Sequence, residues 1–100
     1  MKPKEISQII EKEINGDWSI SNAHGCDLKK CLVHPRKLIY KDLADDAIEH
    51  ELWLVLEEMP ETTIGYQIVF DEITKAFGLG MDGDIFLGIY GTFLDTFDAM

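Results

Sequence analysis

The sequence predicts an α+β fold, a four-stranded antiparallel meander with N-terminal and C-terminal helices packed on the sheet. Three observations point there. Residues 51–72 hold two runs, ELWLVLEEM and GYQIVFDE, joined by PETTI; both runs are rich in aliphatic, β-branched and aromatic residues, and both alternate. A period of two is the mark of half-buried strands, and the Pro/Thr/Gly segment between them reads as a turn. Residues 76–90 repeat the pattern about an Asp82-Gly83 turn. Isoleucines at 6, 9, 10 and 14 mark one face of an amphipathic helix. At 100 residues, 46% of them hydrophobic, residues 1–100 are expected to form one domain around a small core.

The first helix is expected over 3–15, with Pro3 in its first turn, Glu5 near its N-terminal end and Asn15-Gly16 as the stop. Residues 17–34 are the least regular stretch. Trp18, Ile20 and Ala23 alternate weakly, which allows a short extended segment before Gly25. Asp27 suits the cap of a short helix over 28–33, with Leu28, Cys31 and Leu32 on one face, and Pro35 ends it. Residues 36–43 (RKLIYKDL) fit neither period cleanly. Residues 42–50 read as loop with at most a turn of helix, because Asp42, Asp45, Asp46 and Glu49 would repel one another on one helical face.

In the hairpin, Leu52, Leu54 and Leu56 are expected on one face, as are Tyr66, Ile68 and Phe70. The third strand is expected over 76–81, with Phe77, Leu79 and Met81 alternating with glycines, and the fourth over 84–90. A last helix is expected over 93–100, opened by Thr92 and Asp95 in an approximate capping box. The second sheet face would carry Trp53, Val55, Gln67, Val69, Phe86 and Tyr90, too apolar a set for water. Covering by residues 17–43 is the preferred arrangement, and an interface with a second copy, a homodimer, is the alternative.

Charge is the strongest compositional fact. The net charge is −10, and its distribution is uneven: residues 1–41 carry +3, residues 42–100 carry −13. Such a surface repels nucleic acid and anionic membrane and attracts basic partners. The plainer account is that acidity keeps the domain soluble. No basic stripe interleaved with aromatics serves DNA or RNA, no phosphate-cradling glycine motif is present, and no apolar run is long enough to span a bilayer. A cytoplasmic location is expected, with both cysteines reduced.

Candidate chemistry is confined to His24, Cys26, Cys31 and His34, four zinc-type ligands within eleven residues. The run is compressed and lacks the paired Cys-x2-Cys turns of familiar sites, and Cys31 also reads as a small buried hydrophobe. No cofactor is otherwise expected. Cys26, after Gly25 and near His24, Lys29 and Lys30, is the better placed of the two thiols for nucleophilic chemistry, but no spacing here specifies an enzyme. Asp45-Asp46 and Asp82-Gly-Asp84 read as turn chemistry, since the calcium-loop pattern is missing. His50, between Glu49 and Glu51, reads as a surface residue at a strand edge.

Taken in order, WLVLEE, GYQIVFDE, AFGLG and IYGTFLDTFDAM resemble small bacterial domains of unknown function, over roughly the last half of the chain. In size, acidity and α+β character the chain is also similar to the immunity proteins that neutralise bacterial toxins. That likeness implies an inhibitor-type module for a basic protein. It transfers no residue. The residues expected to meet such a partner are Glu57, Glu58, Glu61, Asp71 and Glu72, with Trp53 as an aromatic anchor, because the two strands of the hairpin bring carboxylates together.

Overall fold

The computed structural model describes residues 1–62 and 64–100; Thr63, within the expected hairpin turn, lies outside them. The chain is α+β with a largely antiparallel sheet and a helix at each end. The elements are α1 (Pro3–Ile14), α2 (Leu28–Cys31), β1 (Leu32–Asp42), β2 (Glu49–Glu57), β3 (Tyr66–Asp71), β4 (Ala76–Met81), β5 (Ile85–Gly91) and α3 (Phe93–Ala99). α1 starts at Pro3, and the Glu5 carboxylate accepts from the Lys2 backbone N–H at 3.3 Å. It stops where Asn15 turns left-handed, with φ 52°, and donates its N–H to the Glu11 carbonyl. Ile6, Ile10 and Ile14 are buried, as their spacing predicts.

The sheet has five strands rather than four, and it closes into a barrel in the order β1-β2-β3-β4-β5. A meander of odd strand number must close with its first and last strands parallel. β1 and β5 do so through Lys41 opposite Ile85 and Asp42 opposite Phe86. β1 corrects the short helix expected over 28–33, which stops at Cys31, and it resolves the ambiguous 36–43 run. In that run Tyr40 is buried and Leu38 half-buried, while Arg36, Lys37, Ile39 and Lys41 are exposed. Alternation of that kind is a strand's, but two lysines, an arginine and Pro35 obscure it. Pro35 is tolerated because the ladder is irregular between Leu32 and Arg36, where no regular N–H is required of it.

A second irregularity changes which residues share a face. Trp53 lies opposite Phe70 and Leu54 opposite Val69, but Leu56 lies opposite Ile68, so Val55 is an extra residue in β2. The three leucines therefore divide. Leu52 packs with Tyr40, Val69 and Phe86 inside the barrel. Leu56 joins Trp53, Val55, Ile68 and Phe70 on the face covered by the helices. The expected second face is therefore split: Val69 and Phe86 line the barrel interior, which β1 seals with Tyr40 and Leu38, whereas Trp53 and Val55 lie on the helix-covered face and Tyr90 is exposed. Tyr40 donates its hydroxyl to Gln67 Oε1 at 2.9 Å, so the buried amide is not left unpaired. A Cβ at Gly80 would lie 2.9 Å from the Tyr40 ring, and one at Gly78 would collide with the Gly88 carbonyl. The glycines of β4 leave room for the ring and for β5.

The 17–23 segment forms turns rather than a strand. Between Asp42 and Glu49 the chain turns on its own aspartates: Ala44 N–H donates to Asp42 Oδ1 and Ala47 N–H to Asp45 Oδ1. His50 is not a bare surface residue. Its Nε2 lies 3.0 Å from Asp42 Oδ2, and its ring packs edge-on against Phe86. α3 is capped twice. Thr92 Oγ1 accepts from Asp95 N–H, and the Glu13 carboxylate of α1 accepts from Phe93 N–H at 3.0 Å and Leu94 N–H at 3.2 Å. Among the described residues, no helix is long and apolar enough to cross a membrane.

Candidate functional site

The loop before α2 is coiled by one side chain. Asn22 Oδ1 accepts from the N–H groups of His24 and Cys26, and Asn22 Nδ2 donates to the Phe97 carbonyl at 2.9 Å. Gly25, at φ +70°, allows the chain to curl around that amide. Asp27 then caps α2: its Oδ1 accepts from Lys29 N–H, and its carbonyl accepts from Lys30 and Cys31. These contacts place His24, Cys26 and Cys31 along one wall.

The opposite wall is the end of the β2–β3 hairpin. Glu58 donates its N–H to the Tyr66 carbonyl, and its Oε1 accepts from Tyr66 N–H at 3.1 Å. Its Oε2 lies 2.7 Å from His24 Nδ1, joining the two walls. Gly65, at φ +98°, leaves the space that the Glu58 carboxylate fills; a Cβ there would come 2.6 Å from Oε1. Between the walls is an open groove of about 800 Å³. Asp27, Glu58 and Glu61 line it against Lys30 and His24, and Met59, 51% exposed, supplies an apolar surface.

Cys26 and Cys31 are buried, free thiols on this groove. Burial pushes the Cys26 thiol up to about 11, and Cys31 beside it adds to the effect. A nucleophile needs the opposite shift, so the environment holds Cys26 as a neutral thiol at neutral pH. The four expected zinc ligands are not brought together. His34 is exposed on β1, outside the residues that line the groove. Among the described residues, no group of three or more His, Cys, Asp or Glu side chains is arranged to hold a metal ion.

The residues expected to meet a partner fall into two sets. Glu57, Glu58 and Glu61 lie at the turn end of the hairpin, while Trp53, Asp71 and Glu72 lie at the other end, as the pairing of Glu57 with Gln67 and Trp53 with Phe70 requires. Four residue steps along β2, from Trp53 to Glu57, separate the two ends by roughly 13 Å. Trp53 is buried and donates Nε1–H to Glu72 at 3.3 Å. Lys37 sits 5.3 Å from the centre of its ring and 2.6 Å from Glu72, so this aromatic is already engaged within the chain. The Lys37 ammonium lowers the Glu72 carboxyl. Asp71 accepts from Ile73 N–H. Glu57 is buried, with Oε1 3.7 Å from Arg36 and Oε2 without a hydrogen-bond partner among the described residues.

One residue that sequence reasoning passed over adjoins the groove. Trp18 is 38% exposed and borders the shallower hollows that continue past Gly25, Cys26 and Asp27 toward Leu28 and Leu32. The available signal was an aromatic residue in a segment that keeps neither period. Comparison with protein-family models, with curated proteins and with solved structures finds no match to this chain.

Proposed function

We propose that this chain is a small acidic protein-binding module, of the inhibitor or immunity type, that receives a basic segment of a partner protein in the groove between α2 and the hairpin turn. The observation that carries the reading is the convergence of Asp27, Glu58 and Glu61 around exposed Met59. A lysine or arginine entering between the walls would meet carboxylates on both. Hydrogen bonds to charged groups contribute about 1.5–3 kcal/mol where water is excluded. Met59 offers an adaptable apolar contact beside them. The net charge of −10 would raise the encounter rate with a basic protein.

Capture from native extract tests the reading. The tagged chain should retain one dominant basic protein at about 50 mM salt and release it at about 500 mM, a span that shortens the Debye length from more than 10 Å to a few ångströms. An empty bait, retention unaffected by salt, or recovery of only a second copy of this chain would contradict it.

A further inference from the structure

We propose that Cys26 and Cys31 form a reversible thiol-modification site, a dithiol that closes to an intramolecular disulfide by exchange with low-molecular-weight disulfides admitted by the groove. The chain has two cysteines, and the fold brings both to one wall. Cys26 precedes Asp27, and Cys31 follows Asp27 by one helical turn, its N–H donating to the Asp27 carbonyl at 2.9 Å. Both side chains belong to the same buried cluster. Each residue is about a twentieth exposed, 5% and 6%, yet both line a groove of about 800 Å³ that opens to solvent.

The step is balanced by the co-reactant. One cysteine loses its proton, and the thiolate attacks a sulfur of oxidised glutathione, forming a mixed disulfide and releasing one glutathione thiolate. The second cysteine, deprotonated in turn, attacks the protein sulfur of that mixed disulfide and releases the other glutathione. The two cysteines are oxidised by two electrons together, one glutathione disulfide is reduced to two thiols, and the two protons end on glutathione. In the dithiol form Cys31 Sγ–H donates to the Glu58 carbonyl at 3.8 Å, a contact between the two walls. The disulfide has no S–H, so oxidation removes that contact from the wall that carries Glu58 and Glu61. Burial of the Cys26 thiol makes the exchange slow at neutral pH and faster as pH rises.

The native chain incubated with oxidised glutathione, then denatured, treated with iodoacetamide and weighed intact, tests this without any partner protein. The expected product is a monomer lighter by two hydrogen atoms that takes up no iodoacetamide, is restored by reduced glutathione, and forms about tenfold faster per pH unit between about 7 and 9. Cys26→Ser and Cys31→Ser should each carry one glutathione at most and never form the lighter species. Stable double glutathione adducts, cross-linked dimers, or two thiols still open to iodoacetamide would overturn the proposal. The proposed partner plays no part in this outcome, so the two readings fail separately.

Discussion

Tyr40 joins the barrel interior to the pH response of the molecule. Its hydroxyl is buried, which raises its pKa, and the nearby Glu57 carboxylate raises it further. An unfolded tyrosine ionises near pH 10. Above that pH the unfolded chain gives up a proton that the folded chain keeps. Tyr40's contribution to stability is therefore complete below about pH 10 and is lost as pH rises toward the folded value. Tyr40→Phe removes this dependence and also leaves Gln67 Oε1 without its donor. Urea unfolding of Tyr40→Phe should show a loss of about 1–3 kcal/mol at pH 7. The gap to wild type should narrow above about pH 10. An equal gap at both pH values would mean that Tyr40 ionises freely in the fold. The remaining alkaline slope, from about 9 to about 11, belongs in part to Cys26, whose thiol is also raised by burial.

α3 shows how an element too short to stand alone is held. Seven residues cannot sustain a helix in water. Phe93 and Phe97 bury its apolar stripe, Thr92 caps it, and Glu13 reaches across from α1 to accept from two of its N–H groups. Glu13→Gln leaves one acceptor oxygen and turns an amide N–H toward backbone N–H. The expected cost is about 1–2 kcal/mol. Hydrogen exchange should quicken over 93–99 and α1 should keep its protection; unchanged exchange in α3 would mean that Glu13 is not its cap.

Both end helices and the four later strands, β2 to β5, were legible because period and turn residues agree along each. The expected Thr92–Asp95 cap correctly marked where α3 begins, but Glu13 lies 80 positions from Phe93 and leaves no local trace. β1 was obscured by charges and Pro35, and without it the barrel could not be foreseen. Val55 erased the leucine alternation, since an added residue turns every later side chain to the other face. At the groove, His24, Cys26 and Cys31 were singled out as ligands and Glu58 and Glu61 as partner contacts. That these two groups face one another follows from the loop coiled on Asn22, which no spacing reveals.

At the scale of the whole molecule, the question is whether acidity acts through one place or through its sum. The chain offers a comparison. Glu61 is exposed in the groove, and Asp46 is exposed in the β1–β2 turn, at the other end of β2. The nine residues of β2 put them roughly 30 Å apart. Reversing either charge changes the net charge equally. The deciding measurement is the dissociation constant of the captured basic protein for wild type, Glu61→Lys and Asp46→Lys, by calorimetry at about 150 mM salt, where the Debye length is about 8 Å. Docking in the groove predicts a loss of about tenfold for Glu61→Lys, or about 1.4 kcal/mol, and a change of less than about twofold for Asp46→Lys. Equal losses in the two variants, or none in Glu61→Lys, would contradict it.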